Sequence, residues 1–355
     1  MAGQTHFADA ARYKLRTIGG IFGTTDHDRF VSDSHMGEFD LWFPAKLHNK
    51  TRILYETGVD ALAAILLPMT ASQGRVRLWV ADNFCRESLR RLALKLNERI
   101  DVVVYADPQR LQDVVPNDVV LWLHFNRYDA ASPDAIRSLK RKTGVTVIED
   151  FVQAPLDIAR FQGDFAFNSL RKYSSIDVAV TYQNTAQIPE ATESRYHLLR
   201  KEAEHVRSQF LIHPSQELEQ QFLALTRESD AALAVEPISL AHHEDVYRAM
   251  RFDFQSSRNR RRRNYSLLST RLSEMSPRIR ILPGEYMYLM IETEARDAIR
   301  SEMFNQRIFP VIHWTDSGCE RSQSILSFHI DQRYGDDDMH RVADTLIETR
   351  IRQAA

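Results

Sequence analysis

From about residue 51, short and very apolar segments alternate with segments of helical periodicity, and this alternation restricts the fold more than any other feature. The segments RVRLWVA, DVVVY, DVVLWLH and VTVI read as buried strands over residues 75–81, 101–105, 118–124 and 145–148. Helices are predicted between them, over residues 59–69, 86–99 and 133–142. Strands separated by helices of this length form β-α-β units, so the sequence predicts an α/β protein with a mostly parallel sheet.

The second half of the chain indicates added strands, a helical stretch and then a separate small unit. Strands are predicted at residues 164–168 and 177–182, and a long polar helical stretch at 192–234 with a break at Pro214. Composition becomes loop-like at 234–243, and helices then alternate with predicted strands at 286–291, 308–313 and 324–330. We therefore expect an N-terminal segment at residues 1–50, a large α/β domain at 51–240 and a small α+β domain at 241–355.

Charge and cysteine content exclude several classes of protein. The 46 lysines and arginines nearly balance the 48 aspartates and glutamates, so a broad nucleic-acid-binding surface is not expected. Cys85 and Cys319 are too few for a disulfide framework or a four-cysteine zinc site. The longest uncharged apolar run, residues 61–69, is half the roughly 18 residues of a membrane-spanning helix, and the opening residues lack the apolar part of a secretion signal. We expect a soluble, cytoplasmic protein with no nucleic-acid or membrane partner.

Several well-known site motifs are missing from the sequence. No G-x-G-x-x-G, Walker A, H-E-x-x-H or G-x-S-x-G pattern is present. The run HHED at residues 242–245 could suggest a metal site, but its polar setting favours a solvated helix start, and we predict no metal. The basic run at residues 258–263 is interpreted as a solvated helix face or a subunit contact rather than a nucleic-acid site.

Four blocks in the sequence carry residues with chemical potential. YETGVDAL (55–62) is a small-residue turn that opens an apolar helix, whose free N–H groups suit a phosphate dianion, with Thr57 adding a hydroxyl. VIEDFVQA (147–154) puts Asp150 just past the carboxyl end of a buried strand, where open α/β sheets bind ligands. GDFAFNSLRK (163–172) is a strand followed by a turn with Ser169 and Lys172, and ILSFHIDQRY (325–334) is the fourth block.

This combination meets the needs of pyridoxal 5′-phosphate. A lysine can form a Schiff base with the cofactor aldehyde, a carboxylate keeps the ring nitrogen protonated, and a helix N-terminus with hydroxyls holds the phosphate. The residues alone leave the alternative open, because an aspartate at a strand end and a single lysine are more often ordinary surface groups.

The four blocks resemble those of the DegT/DnrJ/EryC1/StrS aminotransferase group of fold-type-I pyridoxal-phosphate enzymes, best known for aminating keto sugars. They occur in the order of that group and span about residues 55–340, most of the chain. The resemblance implies a mostly parallel, seven-stranded sheet sandwiched by helices, with a small C-terminal α+β domain. It also implies an aminotransferase that uses an amino acid donor and a keto or aldehyde acceptor, and a homodimer whose active site is near the subunit interface.

The resemblance also implies roles for individual residues. Lys172 would hold the cofactor and then act as the proton-transferring acid and base, while Asp150 would pair with the ring nitrogen and Gln153 would hydrogen-bond near the ring hydroxyl. The phosphate would be held by the amides of Gly58 and Val59 with the hydroxyls of Thr57 and Ser169. Phe84 is predicted to stack on the ring, with Cys85 as the alternative, and His313 and Trp314 are predicted near the substrate.

Two departures from the group's pattern leave other functions open. Residues 177–179 (DVA) occupy a segment where relatives commonly carry a glycine pair, and Ala81 replaces an expected proline. The alternatives are a pyridoxal-phosphate dehydratase, decarboxylase or carbon–carbon bond-forming enzyme, or a non-catalytic binding protein on the same fold.

Overall fold

A seven-stranded sheet forms the centre of the protein. The computed structural model describes residues 17–19, 47, 50–125, 133–183, 194–275, 279–284, 287–313 and 319–354. The sheet has the strand order β1-β7-β6-β5-β4-β2-β3, and its strands are β1 (Thr51–Tyr55), β2 (Val76–Ala81), β3 (Ile100–Tyr105), β4 (Val119–Phe125), β5 (Thr146–Gln153), β6 (Phe165–Ser169) and β7 (Ala179–Gln183). Strands β2 to β6 are parallel, and β7 is antiparallel to both of its neighbours. The predicted α/β class with a mostly parallel sheet is confirmed.

In the described ranges, three helices connect the parallel strands or lead into them: α1 (Gly58–Gln73), α2 (Arg86–Lys95) and α3 (Pro133–Thr143). Helix α1 begins after Thr57, whose side-chain oxygen accepts the N–H of Asp60 and so satisfies one of the free donors of the first turn. Because this helix packs its apolar side chains against the sheet, its N-terminus is fixed beside the ends of β5 and β6. Short 3-10 helices lie at Pro108–Asp113, Pro155–Arg160, Leu170–Lys172 and Glu320–Gln323.

Two long helices, α4 (Arg195–Ile212) and α5 (Gln216–Val235), pack against each other after the sheet. Each begins at a serine, Ser194 and Ser215, whose hydroxyl accepts a backbone N–H of the first turn. The predicted break at Pro214 is confirmed, since the proline lies between the two helices where its missing N–H costs no helical hydrogen bond.

The second sheet has three antiparallel strands in the order β10-β9-β8. Its strands are β8 (Arg280–Leu282), β9 (Tyr288–Glu292) and β10 (Ile325–His329), and the helices that follow α5 are α6 (His243–Arg251), α7 (Phe254–Met275), α8 (Arg296–Asn305) and α9 (Asp336–Ala354). The strand predicted at residues 308–313 is wrong. Ile308 and Val311 make only isolated bridges, to Ile18 and Ser327, and Pro310 between them has no N–H to extend a ladder.

The apolar interior includes one cluster that is shared by both sheets. It contains Phe151 and Tyr173 from the large sheet and its loops, Phe252 near the end of α6, and Tyr288 and Met290 from β9. Burying side chains of this size contributes roughly 1.5–3 kcal/mol each. The expected domain boundary near residue 240 stays a prediction, as does the separate segment at residues 1–50, most of which lies outside the described residues.

In the part of the chain that the structure describes, no helix combines the length and the apolar character that crossing a bilayer requires.

Candidate active site

A cavity of about 440 Å³ lies at the carboxyl ends of the parallel strands. In an open α/β sheet this is the edge where ligands bind, because the loops that follow the strands form a crevice there. All but one of the residues predicted from sequence as site residues line it: Thr57, Gly58, Val59, Phe84, Asp150, Gln153, Ser169, Lys172 and His313. The exception, Trp314, lies outside the described residues.

Lys172 lies at the end of the 3-10 helix that follows β6. Its side chain is reached by water through the cavity, yet protein atoms enclose it on its other sides. This enclosure lowers the pKa of the amine to about 8, and the neighbouring guanidinium of Arg171 lowers it further in the same direction. The amine is therefore much closer to neutrality at physiological pH than an ordinary lysine.

Asp150 lies inside β5, so the prediction that it stands past the end of the strand is wrong. The strand continues to Gln153 because Asp150 still pairs with Leu123 of β4 and Phe167 of β6. The carboxylate is only 5% exposed, and its Oδ1 accepts the backbone N–H of Val152 at 2.8 Å. Burial raises its pKa to about 7. A cation facing this carboxylate would stabilise its charged form.

Gln153, the last residue of β5, has a buried side-chain oxygen with no hydrogen-bond partner among the described residues. Such orphaned atoms are uncommon in folded proteins and often mark a site for a bound group. Two acceptors, this amide oxygen and the carboxylate of Asp150, thus line the cavity on one strand. They fit a protonated ring nitrogen and a ring hydroxyl, so this wall suits pyridoxal phosphate.

The N-terminus of α1 lies next to Ser169, as a phosphate site requires. A Cβ atom added to Gly58 would lie 3.6 Å from the Cβ of Ser169, in ordinary contact. The hydroxyl of Thr57 is already engaged, because it donates to Asp60 Oδ2 at 2.6 Å while it caps the helix. In this geometry Gly58 and Val59 amides and the Ser169 hydroxyl are the better phosphate donors.

Two aromatic walls complete the cavity. Phe84 is buried in the loop before α2, and Cys85, the first residue before that helix, is exposed; both line the cavity, so the choice between them as the stacking residue stays open. On the other side the His313 ring meets Phe125 and Tyr288 edge-on, each with centroids 4.8 Å apart. Burial lowers the pKa of His313 to about 3, and the charge of Lys172 acts in the same direction, so its imidazole is neutral.

The cavity also contains charged residues that the sequence reasoning missed. Arg171 donates to the hydroxyl of Tyr196 at 2.7 Å, and Arg91 of α2 approaches Asp230 of α5 at 3.3 Å. Arg171 stands in the quoted lysine block and could have been considered there. No motif distinguishes Asp230, since it lies on one face of a polar helix far along the chain.

Residues 177–179, where the sequence departs from the pattern of the resembling group, contain a buried ion-pairing residue. Asp177, in the segment where relatives carry glycine, is 1% exposed and accepts from the Nε of Arg200 at 3.2 Å. The charges of Arg200 and Arg171 lower the pKa of Asp177 against the opposing effect of burial. This segment therefore contributes a buried ion pair beside the lysine loop.

Two sequence interpretations outside the cavity have different outcomes. His242 caps α6 and its ring stacks on His197 with centroids 4.2 Å apart. Over the described ranges, no group of three or more histidine, cysteine, aspartate or glutamate side chains could hold a metal ion.

The interpretation of the basic run as a solvated face is wrong for Arg261, which is 1% exposed and donates to the carbonyl of Tyr173 at 2.7 Å.

Comparison with solved structures supports the fold assignment. DesI, solved in the presence of its TDP-sugar product, superposes with a TM-score of 0.61 at 14% identity, covering 98% of both chains. NtdA from Bacillus subtilis with bound cofactor PMP gives 0.55 at 14% identity over 90% of this chain and 78% of its own. A DegT DnrJ EryC1 StrS aminotransferase from Brucella abortus gives 0.53 at 12% identity, covering 96% and 95%. Neither a protein-family model nor a curated protein sequence matches this chain.

The structure thus resembles those of the DegT/DnrJ/EryC1/StrS group, and its fold is that of the fold-type-I pyridoxal-phosphate enzymes.

Proposed function

We propose that this protein is a pyridoxal-phosphate-dependent aminotransferase that moves an amino group from an amino acid to a keto sugar or a related keto or aldehyde intermediate. The proposal rests on one observation: Lys172, Asp150 and the N-terminus of α1 line the same cavity. The fold likeness to aminotransferases supports it. As the resemblance implies, the proposal includes a cytoplasmic homodimer with its active site near the subunit interface.

The cofactor and the protein divide the chemistry. When bound, pyridoxal phosphate supplies an aldehyde that reacts with amines and a protonated ring that withdraws electrons from the substrate. Lys172 supplies a nitrogen whose lowered pKa lets Nζ accept a proton from the substrate carbon and return it at a neighbouring atom. The same amine serves both half-reactions, because each needs one proton removed and one delivered.

The other residues bind and orient. The carboxylate of Asp150 holds a proton-bearing ring nitrogen, which favours its charged form and so offsets the cost of its burial. The amide of Gln153 fixes the ring rotation, and the backbone N–H groups at Gly58 and Val59 hold the phosphate with the helix dipole behind them. The neutral His313 lines the same cavity as Lys172, where a substrate would contact it.

The test is an absorbance spectrum of the purified protein with added pyridoxal phosphate. We expect a visible band in the wild type, loss of that band in Lys172→Ala, and an unchanged band in Lys140→Ala, a surface lysine paired with Asp164. A wild type that stays colourless favours the non-catalytic alternative, and a Lys172→Ala spectrum like that of the wild type refutes the role of the lysine.

Addition of amino acids then separates the reaction types. An aminotransferase releases a keto acid from the donor while the visible band declines, and it restores the band when a keto acceptor is supplied. Release of carbon dioxide or of water-elimination products without a keto acid from the donor indicates the other pyridoxal-phosphate reactions.

A further inference from the structure

A second cavity, of about 340 Å³, adjoins the first. Arg171, Lys172 and Asp230 line both, so these three residues lie where the two cavities meet. We call the second cavity the arginine chamber after the four arginines in its wall, Arg171, Arg200, Arg261 and Arg333. Its volume is at the small end of the range for small-molecule sites.

The wall of the arginine chamber has an excess of positive charge. Its acidic side chains are Asp230 and Asp331. Arg333 takes up both carboxylate oxygens of Asp331, at 2.8 and 2.9 Å, and Asp230 is turned towards Arg91 at 3.3 Å. Two further acids, Asp177 and Glu204, lie beside Arg200 just outside the lining. The four remaining cations, three arginines and Lys172, still outnumber these two acids, which is costly in a confined space unless an anion enters.

Arg171 and Arg200 are the arginines with donors left for such an anion. Among the described residues, Arg171 makes one hydrogen bond, to the neutral hydroxyl of Tyr196. Arg200 uses its Nε on Asp177 and Glu204, at 3.2 and 3.6 Å, and its two terminal nitrogens make no hydrogen bond to the described part of the chain. A guanidinium carries five N–H donors in a planar fork that matches a carboxylate.

The buried acid behind Arg200 fixes that fork in place. Asp177 and Arg200 have side chains that are 1% and 6% exposed, and Asp177 is part of the departure from the glycine pair of the resembling group. The segment that sets this chain apart is therefore also the segment that orients an arginine of the chamber.

We propose that the arginine chamber binds the carboxylate of the amino acid donor, and of the keto acid formed from it, through Arg171 and Arg200, with Asp177 as a positioning residue. The identity of the ligand rests on the proposed function, since Lys172, the proposed acid and base, also lines the chamber. The charge complementarity does not depend on that function.

Isothermal titration calorimetry with glutarate, an unreactive dicarboxylate, tests the proposal on the pyridoxal-phosphate-loaded protein. We expect glutarate to bind, and its uncharged diamide of the same size to bind at least about tenfold more weakly. Arg171→Gln and Arg200→Gln should each weaken glutarate binding about tenfold or more. Arg248→Gln is the matched control, because Arg248 also pairs with a buried aspartate, Asp245, but does not line the chamber.

The Arg200→Gln variant leaves Asp177 buried without its partner and can fail to fold. The double variant Arg200→Gln/Asp177→Asn removes both charges, so it keeps the test valid if circular dichroism shows a native spectrum. The carboxylate assignment is overturned if the diamide binds as tightly as glutarate, or if Arg248→Gln weakens glutarate binding as much as the chamber variants do. It is also overturned if inorganic phosphate binds in an arginine-dependent way and glutarate does not bind.

The same titration on protein without cofactor separates this inference from the proposed function. Failure of the proposed function shows as a missing visible band after pyridoxal phosphate is added. In that case, glutarate binding that depends on Arg171 can still be measured. If this binding is absent, the carboxylate assignment of the arginine chamber is refuted, and the proposed function is not affected.

Discussion

The ammonium group of Lys95 lies 2.8 Å from a carboxylate oxygen of Asp60, and only 1% of either side chain is exposed. Asp60 belongs to the first turn of α1, where its other oxygen accepts from Thr57. Lys95 closes α2 and also donates to the carbonyl of Glu236 at 2.8 Å. One buried ion pair thus joins two helices and the end of α5 beneath the turn that we assign to the phosphate.

Breaking this pair from one side should strongly destabilise the protein. Lys95→Met leaves the carboxylate of Asp60 buried without its counter-ion, and we expect the free energy of unfolding to fall by about 3–5 kcal/mol. Urea unfolding followed by circular dichroism measures the loss.

Two control variants identify the cause of that loss. The double variant Lys95→Met/Asp60→Asn removes both charges and should recover most of the stability, while Arg75→Met, which breaks the exposed pair with Asp101, should cost less than about 1 kcal/mol. If the double variant is as unstable as the single one, lost packing rather than the uncompensated charge is responsible.

The stability of the cofactor-free protein should depend on pH through Asp150. Its pKa is about 7 in the folded protein against 3.8 ordinarily, so the folded state keeps a proton that the unfolded chain has lost. This contribution is fully present below pH 4 and is lost as pH rises to about 7. Asp150→Asn has no such loss, so relative to wild type it should gain roughly 2–4 kcal/mol of unfolding free energy between pH 4 and pH 8.

Paired urea titrations at these two pH values measure the difference, in which the other titrating groups cancel. Added pyridoxal phosphate should stabilise the wild type more than Asp150→Asn, because only the carboxylate favours the protonated ring. A difference between variant and wild type that is the same at both pH values argues against a titrating Asp150.

Strands in the sequence could be predicted where their residues are apolar on both faces. The apolar pattern is sufficient for β2 and β4, which lie in the interior of the sheet, and for β3, which is an edge strand parallel to its neighbour. It placed the end of β5 too early, because the apolar run stops at Ile148 while the strand continues through Glu149 and Asp150. Glu149 is tolerated there because it hydrogen-bonds His124 at 2.7 Å and the N–H of Gln162 at 2.6 Å, partners that no local pattern reveals. The short edge strand β1 has no strong signal either.

Some residues of the candidate site could likewise be predicted from the sequence, and others could not. Asp150, Ser169 and Lys172 could be found because they follow apolar strand segments that end at one edge of the sheet, and Gln153 could be found from the resemblance of its block. Asp230 and Arg200 could not, because they reach the two cavities from long polar helices whose rotation about their axes is set by tertiary packing.

The reactivity of Lys172 should report its lowered pKa. Amine reagents attack the neutral form, so labelling of Lys172 in cofactor-free protein should reach half of its maximum rate near pH 8. Arg171→Gln removes a neighbouring positive charge and should move this midpoint to higher pH, whereas Arg195→Gln, an exposed arginine paired with Glu228, should not. Mass spectrometry of the labelled peptide over a pH series gives the midpoint, and identical midpoints in wild type and Arg171→Gln contradict the electrostatic account.

Arg261 should be required for the stability of the lysine loop. Its guanidinium lies 3.9 Å from the centre of the Tyr173 ring, and its Nη2 donates to the backbone carbonyl of the same residue at 2.7 Å. Tyr173 directly follows Lys172, so the arginine fixes the chain on the carboxyl side of the amine. Because lysine has neither the planar group nor the forked donors, Arg261→Lys should lower the free energy of unfolding by about 2–4 kcal/mol and weaken retention of pyridoxal phosphate.

The neighbouring arginine provides the matched comparison. Arg260→Lys changes a half-exposed side chain whose partner is Asp336 at 3.4 Å, and it should leave both properties unchanged because an ammonium group can make the same surface contact. Urea unfolding and the visible absorbance that remains after gel filtration measure the two effects. Loss of stability with full cofactor retention in Arg261→Lys would separate the packing of Tyr173 from the position of Lys172. Equal behaviour of the two variants would refute a special role for the buried guanidinium.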